Sequence, residues 1–179
     1  MLRNAGVDFT VQPADIDEEI IAQNIDDIHK VASVLAKEKA LYVSKQKKDV
    51  HVIGSDQTLI CGDQLFSKAP NKEAAIEKIK TLQGQTHQLN SAVSVAKNGA
   101  ILWSAESQAD MTMHTLSDTF ITRYAQSAGD VLTQCVGAYA YEEHGAWLFE
   151  KVVGDYFTIL GMPLPQLLHY LRTEQGVTL

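Results

Sequence analysis

Val52-Ile53-Gly54-Ser55-Asp56-Gln57-Thr58-Leu59-Ile60 is the stretch on which the rest of the chain turns. It reads as a short apolar strand that breaks at Gly54-Ser55 and delivers a carboxylate, Asp56, at its end. A second apolar run follows, then a Gly62-Asp63 turn and Leu65-Phe66-Ser67-Lys68, so that a hairpin carries Lys68 back toward the acid. In open α/β sheets ligand crevices lie outside the carboxyl ends of the strands. An acid there, with a lysine one hairpin away, is a candidate site for an anion and its metal. Turn chemistry after Gly-Ser accounts for the same residues without any site, and the spacing leaves both readings open.

Outward from this stretch, the bulk composition sets the frame. The chain has 179 residues, 45% hydrophobic and 21% charged. That is ordinary globular composition and enough chain for one domain, 1–179, with a core that needs no staples. The net charge is −7, and the longest basic cluster is Lys45-Gln46-Lys47-Lys48, placed where a helix should end and where lysines complement its dipole. No nucleic-acid polymer is expected as a partner. Cys61 and Cys135 sit in apolar runs outside any Cys-x-x-Cys pattern and read as small buried hydrophobes in a reducing compartment. With no apolar run of spanning length and no charged leader at Met1, the expected location is cytoplasmic.

Taken in order, Met1-Leu2-Arg3-Asn4-Ala5-Gly6 looks like the tail of a helix closed by glycine. Alternation of Val7, Phe9 and Val11 with Asp8 and Thr10 predicts a strand. Pro13 to Glu19 is an acidic loop, either a solvated connector or the edge of a metal or base site. Asn24 is a candidate cap for a helix to about Ser44, with Ile28, Val31, Ala32, Leu35, Ala36, Tyr42 and Val43 on its apolar stripe. Lys39 interrupts that stripe; it either snorkels to the core's edge or reaches an anion. Asn71 caps a helix that Gly84 closes. Lys97-Asn98-Gly99 is the tight turn between strands at 87–96 and 100–113. His87 and His114 have no partner at metal spacing and read as structural or surface residues. Ser117 caps a further helix ending near Gly129. Gly137 to Gly145 combines glycine, tyrosine and acids, as either a flat-ligand approach or turn packing. Trp147-Leu148-Phe149 reads as a buried strand, and a last helix begins near Pro163 or Pro165.

Gly54-Ser55-Asp56-Gln57, Lys68, Gly84-Gln85-Thr86-His87, Gly154-Asp155-Tyr156 and Gly161-Met162-Pro163-Leu164, in this order along nearly the whole chain, resemble the landmarks of the Maf family. Leu35-Ala36-Lys37-Glu38-Lys39-Ala40 resembles its Leu-Ala-x-x-Lys-Ala helix, and Asp15-Ile16-Asp17-Glu18 its acidic segment. The resemblance implies an α/β fold, an elongated mixed sheet flanked by helices and related to inosine triphosphate pyrophosphatases. It also implies a homodimer and a nucleoside triphosphate pyrophosphatase that releases a monophosphate and pyrophosphate. Carried onto this chain, it makes Asp56 the catalytic acid and, with Glu18, the ligand of Mg²⁺ or Mn²⁺. Lys39 and Lys68 would hold the triphosphate, and Gln57 and Glu142 would contact the substrate's base.

Ser55-Asp56-Gln57 together with Glu142 is similar to the family branch associated with 7-methyl-GTP, which is therefore the favoured substrate, with dTTP and UTP next. The family's Lys-Pro is here Lys68-Ala69, and a family glycine is here Glu143. Met1 to Gly6 resembles only the end of the helix that follows the family's first strand and its Ser-x-Ser-x-x-Arg phosphate loop. The expectation is thus a fold lacking that strand. The alternative to an active enzyme is an inactive, nucleotide-binding or dimerising relative linked to cell-division control.

Overall fold

A computed structural model of the chain describes residues 1–177. Its regular elements are α1 (Glu18–Gln23), α2 (Val31–Gln46), β1 (Val52–Cys61), β2 (Gln64–Phe66), α3 (Lys72–Leu82), β3 (Thr86–Lys97), β4 (Ala100–Met113), α4 (Asp118–Ala128), α5 (Val131–Gln134), β5 (Phe149–Val153), α6 (Tyr156–Ile159) and α7 (Leu164–Gln175). The strands form one five-stranded sheet in the order β2-β1-β3-β4-β5, an α/β architecture as expected. Three 3₁₀ turns punctuate the described residues, at Arg3–Ala5, Ile28–Lys30 and His144–Leu148.

The chain divides into two compact units. The first gathers Met1–Gln57, Ser91–Ser107 and the chain from Gly161 onward; the second gathers Thr58–Asn90 and Gln108–Leu160.

In the first unit, the opening turn ends as expected at Gly6, whose φ of 79° is cheap only for glycine. The strand expected at Val7–Val11 does not form. Val11 is 77% exposed and the segment has no ladder partner; alternation alone cannot supply the neighbour a strand needs. Asn24 is not an N-cap but ends α1. The cap before α2 is Asp27, whose carboxylate accepts from His29 N at 3.0 Å and opens the 3₁₀ turn leading into the helix. Ala32 and Ala36 of α2 pack on Ala92 of β3, and Trp103 stacks on Tyr170 of α7 with centroids 4.9 Å apart. Asn98 and Gly99 both take positive φ, the conformation a two-residue hairpin turn requires.

The central stretch also differs from expectation. β1 does not break at Gly54-Ser55 but runs unbroken through ten residues, leaving Asp56 in mid-strand instead of at its end. Glycine is there for a different reason. A Cβ at 54 would lie 2.4 Å from the Ala36 carbonyl oxygen and 2.6 Å from Ala40 N, so α2 lies directly on the strand backbone. An isolated glycine within a strand marks such a close approach.

In the second unit, Leu59, Ile79, Leu82, Leu89, Met111, Met113, Ile121, Leu132 and Leu148 share one core. β1 and β2 pair antiparallel with Leu59 opposite Phe66, across a turn where Gly62 has a φ of 58°. Asn71 caps α3 by accepting from Ala74 N at 2.8 Å, and Ser117 caps α4. β5 lies antiparallel to β4, with a bulge at Thr112/Met113. The buried strand expected at Trp147 is a correction. Leu148 is buried and Phe149 packs half-buried on the core, but Trp147 is 74% exposed on a 3₁₀ turn, and pairing begins at Phe149. The two cysteines are free and only partly buried, less enclosed than their apolar neighbours suggested.

The glycines of 137–145 serve turn packing. A Cβ at Gly137 would meet the Tyr139 ring at 2.3 Å, and one at Gly145 the Ala140 carbonyl oxygen at 2.3 Å. Tyr139 itself is buried, its hydroxyl 2.7 Å from His87 Nε2.

Candidate active site

In the first unit the acidic segment becomes a helix start. Asp17 caps α1 by accepting from Ile20 N at 2.9 Å, and Glu18 and Glu19 fill the first turn, where negative charge is favoured. Glu18 therefore projects from a fixed helix N-terminus and not from a mobile loop.

Lys39 lies on α2, the helix that packs its Ala36–Ala40 turn on Gly54. Residues two apart share a face of a strand, so Asp56 is on the same face of β1 as Gly54 and meets the same helix. The Lys39 ammonium donates to Asp56 Oδ1 at 2.6 Å and lies 2.9 Å from Glu18 Oε2. The Asp56 contact is shorter than an ordinary neutral hydrogen bond, as charge-assisted ones are. The Asp56 side chain is 11% exposed and that of Lys39 20%, against 51% for Glu18, so the trio runs from a shielded strand to an open helix end. Burial weakens the charged form of Lys39. The hydrogen bonds and charges of Asp56 and then Glu18 outweigh it, and the amine titrates above its ordinary 10.5.

The neighbouring strand residues fix β1 from its other face. Ser55 Oγ donates to the carbonyls of Ala92 at 2.9 Å and Gly161 at 3.0 Å. Gln57 Nε2 donates to Ser91 Oγ at 3.0 Å. Gln57 thus sits on the face opposite Asp56, as strand alternation requires. Ser55 and Gly161 were part of the resembling motifs without a role attached. What marks Ser55 is its place beside Asp56, between the apolar runs at the two ends of the strand.

Lys68 and Glu142 belong to the second unit, both exposed. They share a neighbour there. Burial pushes the Cys135 thiol up, Glu142 and Glu143 push it further, and Lys68 opposes them. The structure therefore brings Glu18, Lys39 and Asp56 together in one unit, and Lys68 and Glu142 around Cys135 in the other.

Among the described residues no three His, Cys, Asp or Glu side chains form a ready cage for a cation. Mg²⁺ seldom needs one, since it binds through one or two carboxylates and takes its remaining oxygens from water and phosphate. Glu18 and Asp56 are hard oxygen donors already converging on a positive charge, the Lys39 ammonium. That donor set fits Mg²⁺ or Mn²⁺ when phosphate oxygens complete it. No helix among the described residues is long and apolar enough to cross a membrane.

Comparison with known proteins adds the following. The family model described as Maf-like protein matches residues 1–174. The 7-methyl-GTP pyrophosphatase of Brucella abortus biovar 1 (strain 9-941) is 45% identical, over 99% of this chain and 91% of that protein. The nucleoside triphosphate pyrophosphatase of Bradyrhizobium diazoefficiens is also 45% identical, over 98% of this chain and 88% of its own length. The 7-methyl-GTP pyrophosphatase of Rhizobium etli is 42% identical over 96% and 88%.

Proposed function

Because the chain belongs to the Maf-like protein family, we propose that it is a nucleoside triphosphate pyrophosphatase with 7-methyl-GTP as its favoured substrate and dTTP and UTP next. The observation that carries the reading is the convergence of Glu18 and Asp56 on one lysine ammonium, 2.9 and 2.6 Å away. Two carboxylates and a cation held together on rigid elements are what hydrolysis of a phosphoanhydride needs. The carboxylates hold positive charge and orient water; the ammonium offsets phosphate charge.

In the proposed reaction, water forms a bond to the α-phosphorus and the bond from that phosphorus to the bridging oxygen breaks. The products are a nucleoside monophosphate and pyrophosphate. Asp56 orients the attacking water and accepts its proton, while Lys39 aligns the Asp56 carboxylate and meets non-bridging phosphate oxygens. Glu18 and Asp56 would hold a divalent cation, which when bound offsets the charge of the phosphate oxygens. We assign Lys68 to the phosphates and Glu142 to the base edge, where a carboxylate accepts from the N–H groups of a guanine. Gln57 completes the set as a proposed substrate contact, and with Ser55 it pins the strand beneath Asp56.

Pyrophosphate release with Mg²⁺ across a panel of 7-methyl-GTP, dTTP, UTP and GTP tests the proposal. Turnover of 7-methyl-GTP above the others, lost in Asp56→Asn, is the expected result. Turnover of dTTP well above 7-methyl-GTP would overturn the base assignment, and activity untouched by Asp56→Asn would remove Asp56 from the chemistry.

A further inference from the structure

On α3 the buried positions are Ala75, Lys78, Ile79 and Leu82. Three of these suit a core stripe and one does not. Lys78 is only 9% exposed, and among the described residues its ammonium pairs with no carboxylate. It donates instead to two main-chain carbonyls, that of Ser67 and that of Val136, the latter at 2.8 Å. Burial alone acts on its amine, and pushes it below the ordinary value.

A desolvated ammonium costs free energy unless its donors are used, and an apolar side chain would fill this part of the stripe without that cost. What Lys78 does that such a side chain cannot is join two segments distant in sequence. Ser67 shares its peptide bond with Lys68, and Val136 follows Cys135. One segment carries Lys68 and the other the Cys135 thiol, on which Lys68 acts in opposition to Glu142 and Glu143. The ammonium is therefore a buried clamp between the segment that carries Lys68 and the one that carries Cys135.

We propose that Lys78 is a positioning residue for Lys68, holding the Ser67–Lys68 main chain against the Cys135–Val136 segment so that the Lys68 ammonium stays in register with Cys135 and its acidic neighbours. Its kinetic consequence rests on the proposed role of Lys68 in binding phosphate; the geometric clamp does not.

Lys78→Met, similar in length but without a donor, tests both parts. In a Cys61→Ser background Cys135 is the remaining thiol, and its alkylation rate against pH reports the local charge. Lys78→Met is expected to move the alkylation midpoint to higher pH, as Lys68 ceases to oppose the acids. It should move it no further once Lys68→Met is already present. With 7-methyl-GTP, KM should rise several-fold with kcat nearly unchanged, again without effect in the Lys68→Met background. An unmoved midpoint, or shifts that add fully to those of Lys68→Met, overturns the clamp. If the parent protein releases pyrophosphate from no nucleotide, the proposed function falls and the thiol titration alone decides this inference. Should Lys78→Met not fold, Lys78→Gln, too short to reach both carbonyls, goes through the same measurements with the same deciding outcomes.

Discussion

Lys39 of α2 donates to Asp56 of β1 over 2.6 Å, across the point where helix and strand backbones are in contact at Gly54. The pair is positioned by main-chain packing, and the consequences can be measured.

Replacing Lys39 by methionine leaves the shielded Asp56 carboxylate without its ammonium partner. Loss of one member of such a pair, partly open to water here, costs about 1–3 kcal/mol. Urea unfolding of Lys39→Met against the parent reads this directly. On the proposed role of Lys39, the same variant should also lose most pyrophosphate release, since the charge assigned to the phosphate oxygens is gone.

The pH dependence of that contribution has a fixed sign. The folded-state pKa of Lys39 is raised above 10.5, so the protonated amine is favoured by folding. Its stabilisation is complete below the unfolded value and fades as pH rises through the folded one. The stability gap between the parent and Lys39→Met should stay level through neutral pH and narrow only above 10.5.

Gly54→Ala places a methyl group against the main chain of Ala36 and Ala40, which cannot rotate out of the way as a side chain does. Overpacking of this kind costs about 1–3 kcal/mol. Because relief requires α2 to shift, activity should fall as well. A variant as stable and as active as the parent would show that helix and strand are not in contact.

His87 is wholly buried, and burial lowers its pKa from 6.5 to about 4. The unfolded chain therefore binds a proton that the folded chain refuses, and stability falls as pH drops through that window. Between pH 7 and pH 5 the His87 share of the loss is about 2 kcal/mol. In His87→Phe, urea unfolding at the two pH values should differ by that much less than in the parent.

Much of this arrangement can be read from the residues, and the exceptions have causes. Asn71, Ser117 and Asn98-Gly99 act through local chemistry, and their elements form where that chemistry places them. Gly54 misleads because glycine signals both a break and a close approach, and only the helix packed on it tells these apart. Val7 to Val11 carries a strand's alternation without a partner, which lies beyond any local pattern. Glu18 and Lys39 are far apart in sequence and meet because Asp17 opens a helix where an acidic stretch reads equally as loop. Lys78 falls at helical spacing with Ala75, Ile79 and Leu82, as Lys39 does on its own stripe, but a lysine next to Glu77 reads first as an ordinary surface charge.

Each unit holds one of the two tryptophans. Trp103 is stacked at 12° on Tyr170 in the first, and Trp147 stands 74% exposed in the second. With tryptophan excited selectively over the six tyrosines, the fold is thus supplied with two native reporters in unlike surroundings. Trp147→Phe leaves an emission that follows only the unit holding Glu18, Lys39 and Asp56. Trp103→Phe leaves one that follows the unit holding Lys68, Lys78 and Glu142, so the melting of each can be watched without attaching a dye.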